Sequence, residues 1–518
     1  MPNPYAKRML HDAREMGMPE DEIAVLRGIH ALEPTVAEQF DSGDVDEMVA
    51  WDKETAVTAL EGRFPGTPPF VHQYAYGAHV TDVSGREAVD AHTGILSVLY
   101  GHNNPKLLMA YIKALATGVW MPTSTHINPR ALAFKDAIIN SLSLDDNTEE
   151  DPMRAWRVLF ASGGNIAGDN ARRIGDGALY DEGAERVQTD STRERSDALA
   201  DLALGGNSYV ILFEDAYSGN GIRGNAECGV GPWRGITTPG LGQNKVFIQP
   251  TIESFERAIA MMPKGVKPIF HAEQILGVGG FKVVPIEVLE HIVRRVHELG
   301  GLFIADEVQT APCRTGEAFW YWQSWAKDIA LQPDMVVFAK GFGNGRPVAG
   351  VAVRGALNER LLELQKKGFS LGKWFDTNQV PPPEAALGEE GVKMAIENDY
   401  VGIARRMGAE LRLGLKTIGA MYPDVVDNDS ADSGVPGKGL MSGLRFRSAG
   451  SVAKAMPLGP EHGVLFGNGG REMHDPEDFR GAPNTLRIAP PVGATTSSVV
   501  AEILTRLQSV VKRISTLA

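Results

Sequence analysis

The sequence predicts an α/β protein, with a large domain built on a mostly parallel sheet flanked by helices and a smaller α+β domain. Three observations point there. Between residues 155 and 350, short apolar runs alternate with helical patterns. The runs are nearly continuously apolar, as expected of strands covered on both faces. Beyond about residue 385, a helical stretch leads to glycine-rich, strand-like segments and a final amphipathic helix.

The five runs lie at 157–161, 209–213, 268–272, 302–305 and 335–338. One crossover helix is legible before the fourth. Val288, Leu289, Ile292, Val293, Val296 and Leu299 recur at helical spacing, and Gly300-Gly301 ends the run. Residues 79–90 alternate about Ser84-Gly85, like a hairpin. Residues 1–65 are acidic and helix-prone and read as an N-terminal extension. From about 176 to 207, Asp, Glu, Arg, Ser and Gly dominate, which reads as a solvated insertion.

The balance of charge narrows the function. With 65 acidic against 51 basic residues, the net charge is −14, which argues against a nucleic-acid binder. Cys228 and Cys313 are the only cysteines, so no disulfide framework is expected and a reducing cytoplasm is the natural compartment. Two basic residues near the start are followed by no apolar stretch, so no signal peptide is expected, and no apolar run reaches the length of a membrane span.

In open parallel sheets, ligands lie outside the carboxyl ends of the strands. The residues after each run are therefore the informative ones. After the first, Ser162-Gly163-Gly164 lets the backbone approach an anion at a helix N-terminus, although a plain strand-to-helix turn has the same pattern. After the second, Tyr217 sits where its ring could stack on a flat cofactor, although a lone tyrosine more often simply packs. Glu273 follows the third run, Asp306-Glu-Val-Gln-Thr310 the fourth, and Lys340-Gly-Phe-Gly the fifth. Two acids and a lysine thus converge on one sheet edge. A buried lysine can lose its proton and become a Schiff-base nucleophile, and a carboxylate can keep a pyridine nitrogen protonated.

At these residues the sequence resembles the class III, fold-type I pyridoxal-phosphate aminotransferases. The resemblance runs from about Val80 to the C-terminus. It is most specific in Phe303-Ile-Ala-Asp-Glu-Val-Gln-Thr310, Arg314-Thr-Gly316, Pro333-Asp-Met-Val-Val-Phe-Ala-Lys-Gly341 and Gly345-Arg-Pro347. Gly101-His-Asn-Asn-Pro105, Gly439-Leu-Met441 and Leu486-Arg-Ile-Ala-Pro-Pro491 also match.

The resemblance implies a fold-type I transferase: a large cofactor domain over 101–385, and a small domain from 66–100 together with 386–518. It implies pyridoxal 5'-phosphate as cofactor, carried as a Schiff base by Lys340. Asp306 would bind the pyridine nitrogen, Gln309 would lie near the ring hydroxyl, and Tyr217 would stack on the ring. Gly163 and Gly164 would hold the phosphate, with Ser162, Glu273 and Val308 completing the cofactor site. Thr377 matches a threonine that reaches the phosphate from the neighbouring subunit, implying a homodimer with shared sites. The implied reaction moves an amino group from an amino acid to a 2-oxo acid, with Lys340 as general base and then acid.

Arg487 matches an arginine that binds a substrate carboxylate. In relatives that also accept terminal amines, a glutamate five residues beyond the one matching Glu273 covers it. Here that position is Val278, so the expected substrate is an α-amino acid. Departures from the pattern are Gly164 for a hydroxyl residue, Ser218 for a histidine, Gln274 for a proline, and Val380-Pro-Pro-Pro383 after Thr377. Two alternatives stay open on the same scaffold. A racemase or aminomutase would release no 2-oxo acid, and a non-catalytic binding protein would stay colourless with the cofactor supplied. A metal enzyme has little support, since the histidines and cysteines show no ligand spacing.

Overall fold

The computed structural model describes residues 3–31, 70–119, 126–143, 153, 155–179, 208–219, 244–366, 379–470 and 483–517. Helices α1 (Ala6–Glu15) and α2 (Glu20–Ala31) are the described part of the N-terminal extension. Met9, Ala13, Ile23 and Leu26 close a small core against Tyr76 and Met109. Tyr76 donates its hydroxyl to Asp12 Oδ2 at 2.6 Å, and the Tyr5 hydroxyl lies 2.7 Å from Thr81 Oγ1, so the extension docks on the first sheet.

That sheet contains β1 (His72–Tyr76), β2 (His79–Asp82) and β3 (Glu87–Asp90). The hairpin expected over 79–90 is present. One carboxylate holds its turn: Asp82 Oδ1 accepts from the Ser84 and Arg86 amides at 3.0 and 2.9 Å. Helices α3 (Pro105–Leu115) and α4 (Pro129–Leu142) both begin at Asn-Pro. Asn104 and Asn128 cap the first-turn amides, and proline presets φ at the first helical position.

All five apolar runs are strands of one seven-stranded sheet. They are β4 (Trp156–Ala161), β5 (Ser208–Phe213), β7 (Lys267–Glu273), β10 (Leu302–Asp306) and β11 (Met335–Phe338); β6 (Lys245–Ile248) and β12 (Ala349–Arg354) complete it. The order is β4-β12-β11-β10-β7-β5-β6. From β11 to β6 the neighbours are parallel, while β12 runs antiparallel to both β11 and β4. This corrects the reading of the first run as a strand covered on both faces. β4 is an edge strand, with Arg157 exposed and Val158 and Leu159 half-buried. A short hairpin, β8 (Ile275–Leu276) and β9 (Lys282–Val283), follows β7.

Side-chain alternation assigns each face of the sheet a helix. Ile269, Leu302, Ile304, Met335 and Val337 pack under α5 (Gly164–Ala178) through Ala167, Ala171 and Ile174. A Cβ on Gly175 would lie 3.0 Å from the Ile269 side chain, so glycine sets how closely this helix approaches. Phe270, Phe303, Val336 and Phe338 share the opposite core with α7 (Ile286–Glu298), the crossover helix read from the sequence; α6 (Ile252–Ala260) lies in the same layer. Asp176, where the charged pattern begins, is still inside α5, buried and accepting from the Ser208 hydroxyl. The insertion from 180 to 207 lies outside the described residues.

Beyond the sheet come α8 (Gly355–Lys366), α9 (Pro382–Glu397) and α10 (Tyr400–Met421). Then follow β13 (Gly437–Lys438), β14 (Met441–Arg445), α11 (Ala449–Glu461), β15 (Val464–Leu465), β16 (Gly467–Gly469), β17 (Thr485–Ile488) and α12 (Ser497–Ser515). β13-β14-β17-β16 form a separate sheet, and β15 pairs parallel with β3, tying this region to residues 72–90. The two ends of the chain share one core, in which Val89, Leu99 and Tyr100 lie with Leu411, Leu415, Val500 and Ile503. Among the described residues, no helix is long and apolar enough to cross a membrane.

Candidate active site

Strand register sets the first part of the site. Glu273 and Asp306 are paired neighbours at the carboxyl ends of β7 and β10. His271, two residues before Glu273, lies on the same face by the two-residue period of a strand, and its Nε2 is 3.8 Å from Asp306 Oδ2. All three are on the α5 side of the sheet. Burial pushes the Asp306 carboxyl up; the His271 imidazole, the Val308 amide at 3.0 Å and the Lys340 charge act against it. Burial and then Asp306 push Glu273 up, opposed by the Tyr217 amide at 2.9 Å, the Lys340 charge and the Gly277 amide at 3.3 Å.

Lys340 follows β11 and is held at φ +48°, a left-handed conformation that costs a non-glycine residue about 1–2 kcal/mol. Burial pulls its ammonium below the usual lysine range. The charges of Glu273, Arg487, Asp306 and Arg314 all act on it, the acids raising it and the arginines lowering it. The amine and the carboxylates expected to cooperate therefore share one buried cluster.

The start of α5 lies against the same cluster. Gly163 caps the helix, and among the described residues a Cβ on it would meet nothing within 4 Å. On Gly164 a Cβ would lie 3.3 Å from Ala339 and 3.5 Å from Val308, the neighbours of Lys340 and Asp306 in sequence. Ser162, Gly163 and Gly164 are half-buried, as is Tyr217. The Tyr217 loop packs onto this helix end, since a Cβ on Gly219 would strike the Asn165 side chain. Gln309 is buried beside Gly277, and its Oε1 has no partner among the described residues. Thr377 lies outside the described residues.

Arg487 enters from β17. It is 7% exposed, and burial pulls its guanidinium down to about 10, still far above neutrality, so it stays charged. Among the described residues, its Nε and Nη1 have no hydrogen-bond partner and no carboxylate forms an ion pair with it. The backbone of Val278 is close by: its carbonyl accepts from the Gly470 amide at 2.8 Å and would meet a Cβ on Gly469 at 2.8 Å, beside Arg487.

Three matched motifs are explained by one buried arginine. Arg314 donates to the Pro490 carbonyl at 2.9 Å and to the Leu440 carbonyl at 3.5 Å, while its own carbonyl accepts from the Leu440 amide at 3.0 Å. Gly439, at φ +54°, lies so close to Thr315 that a Cβ would be 2.5 Å from its carbonyl carbon. Arg314-Thr-Gly316, Gly439-Leu-Met441 and Pro490-Pro491 are therefore one joint between the two sheets.

The sequence reading quoted Arg314 within a matched motif but gave no site role to it, to His271 or to His92. His271 was within reach of it, because two residues along a strand return to the same face as Glu273. Nothing local marks His92.

Comparisons with known proteins identify the family and the fold. A profile of the class III aminotransferases matches residues 65–511. The chain is 26% identical to the acetylornithine aminotransferase of Mycolicibacterium smegmatis over 438 residues, covering 85% of this chain and 93% of that one. It is 26% identical to the diaminobutyrate–2-oxoglutarate aminotransferase of Haemophilus influenzae, covering 76% and 79%. Among solved structures, the ornithine aminotransferase of Toxoplasma gondii superposes with a TM-score of 0.72 at 18% identity, covering 93% of this chain and 98% of that one.

The fold is therefore that of a fold-type I transferase. The chain belongs to the class III aminotransferases, pyridoxal-phosphate-dependent enzymes. Its buried groups suit that cofactor. Two adjacent carboxyls sit beside the Lys340 charge, Gln309 Oε1, unpartnered among the described residues, can take a hydroxyl donor, and the helix start at Gly163 can take a phosphate.

Proposed function

We propose that Lys340 is the cofactor-bearing lysine and that the amino donor is an α-amino acid. Support for the lysine is its burial between Glu273, Asp306 and Arg487, which holds its amine below the usual lysine range and so available as a base near neutral pH. Pyridoxal phosphate supplies an electrophilic carbon for an amine and a cationic ring that takes up electron density from the substrate carbon. Asp306 would hold the ring nitrogen and keep it protonated. Glu273 and Gln309 would hold the ring hydroxyl side, Tyr217 would cover the ring, and Ser162, Gly163, Gly164 and Val308 would hold the phosphate. Lys340 would take up and hold the proton at the substrate α-carbon, as a base whose amine sits below the usual lysine range.

The observation that carries the substrate reading is the unpartnered, charged Arg487 with valine at 278. A buried guanidinium without a carboxylate is costly, and an α-carboxylate on the donor and on the oxo-acid product satisfies it in both half-reactions. Transamination is favoured over racemisation because the chain belongs to the class III aminotransferases. Thr377 of a second copy would reach the phosphate, making the working form a homodimer, and the scarcity of cysteine fits a cytoplasmic enzyme.

Two measurements test this. Borohydride reduction of the yellow holoenzyme followed by peptide mapping is expected to leave the cofactor on Lys340; labelling of another lysine would overturn the assignment. Arg487→Leu is expected to raise the KM for the α-amino acid by about a hundredfold, the scale of a lost charge-assisted bidentate pair. An unchanged KM would end the substrate reading.

A further inference from the structure

Strand β16 lacks side chains on one face for a reason visible in its neighbours. Gly467 and Gly469 lie two apart and so point the same way. A Cβ on Gly467 would lie 2.6 Å from His92 Nε2 and 2.7 Å from His92 Cδ2. A Cβ on Gly469 would lie 3.0 Å from Arg487 Cδ and 3.3 Å from Arg487 Nε. Gly467 is also the register partner of Arg487. The imidazole and the guanidinium therefore lie side by side over one glycine-cleared strip.

His92 is pinned to the strand that carries Arg487. The Ala489 amide donates to the Ala91 carbonyl at 2.7 Å, and Thr93 Oγ1 donates to the Ala489 carbonyl at 2.9 Å. Asp90 fixes the backbone from the other side, accepting from the His92 and Thr93 amides at 2.9 and 2.7 Å while its second oxygen meets His102. What this holds in place is a buried Nε2 with no partner among the described residues, on the same strip as the equally unpartnered Nε and Nη1 of Arg487. Three such atoms together are costly unless one ligand satisfies them.

We propose that His92 and Arg487 form a three-point carboxylate subsite, in which Arg487 Nε and Nη1 and His92 Nε2 each hydrogen-bond the substrate carboxylate. Burial, followed by the Arg487 charge, pulls the imidazole down to about 4. It is therefore neutral at neutral pH and carries one N–H, and an anion on Arg487 favours the tautomer with that hydrogen on Nε2. His92 adds direction to the subsite without adding a second charge. This rests on the reading of Arg487 as the carboxylate anchor.

The test uses the holoenzyme and two probes without an amine, propionate and its uncharged amide propionamide, as competitive inhibitors of the amino-acid reaction. His92→Leu is expected to weaken propionate about tenfold, the effect of one hydrogen bond to a charged group. It should leave propionamide unchanged, raise KM for the amino acid and barely alter kcat. His92→Gln, which keeps an N–H donor, should recover most of the loss. Propionate inhibiting His92→Leu as strongly as wild type, while Arg487→Leu loses it, would overturn the role of His92 and leave the anchor intact. Propionate inhibition unaffected in Arg487→Leu would instead remove the anchor itself. A fall in kcat with the cofactor absorbance lost in both His92 variants would mean that the residue only supports the fold, and would also overturn the proposal.

Discussion

His271 Nε2 lies 3.8 Å from Asp306 Oδ2, beyond hydrogen-bond range but close enough to bias a buried charge. The imidazole is among the influences that favour the Asp306 carboxylate against burial. His271→Leu keeps the volume and removes that influence. The holoenzyme is expected to release pyridoxal phosphate more readily, with the cofactor dissociation constant up about tenfold, or about 1.4 kcal/mol. Equilibrium dialysis followed by absorbance measures it, and a constant equal to wild type would discard the idea.

Glu307, next to Asp306 but on the opposite face, is a structural carboxylate. It accepts from the Trp322 and Tyr321 amides at 2.8 and 3.1 Å, from Gln274 Nε2 at 3.0 Å and from the Thr310 hydroxyl. Gln274 in turn accepts from Trp325 Nε1 at 2.7 Å, so the residue that replaces the family's proline is built into this network. Glu307→Leu strands two buried backbone amides and the Gln274 side-chain amide, and is expected to cost about 3 kcal/mol or more in denaturant unfolding.

The same carboxyl sets a pH dependence. Burial pushes Glu307 up to about 7, above its ordinary 4.5, despite its donors. Between those values the folded protein holds the proton longer than the unfolded chain does. Stability from this group is thus full below about 4.5 and is lost as pH rises to about 7. In Glu307→Gln that decline should flatten, as read by unfolding midpoints across the range; an identical slope would contradict it.

The legible part of the site follows from one rule and the rest from packing that no local pattern shows. Glu273, Asp306 and Lys340 were readable because parallel strands present their carboxyl ends to a ligand. β12 was not, since Ala349–Arg354 is as apolar as its neighbours and carries no sign of its reversed direction. With β12 inserted, β4 becomes an edge strand, which the sequence of Trp156–Ala161 shows only in the exposed Arg157. His92 and Arg487 meet through a hydrogen bond between Ala91 and Ala489 and two glycines in β16, contacts distributed over three distant segments.

Two glycines near the site should respond to alanine in opposite ways. At Gly277 the new Cβ would press on the Gln309 side chain, 2.5 Å from its Cδ, and a flexible side chain can move. Gly277→Ala should therefore fold normally but alter the cofactor spectrum. At Gly439 the Cβ would meet the Thr315 backbone, and φ is +54°. Gly439→Ala should lose about 2 kcal/mol or more of stability. Thermal melts with absorbance spectra separate the two, and the reverse pattern would refute the argument.

Val278 gives the sharpest test of substrate choice. Its carbonyl abuts Gly469, the glycine that makes room for Arg487, so a longer acidic side chain at 278 comes within reach of the guanidinium. In Val278→Glu the new carboxylate would compete with that of the substrate. KM for the α-amino acid is expected to rise about tenfold, while a simple primary amine, with no carboxylate to place, should be accepted as well as before or better. In the Arg487→Leu background the same change should add almost nothing, because the two residues act on one contact. Equal, additive effects in both backgrounds would show that position 278 acts elsewhere and that its valine says nothing about the substrate.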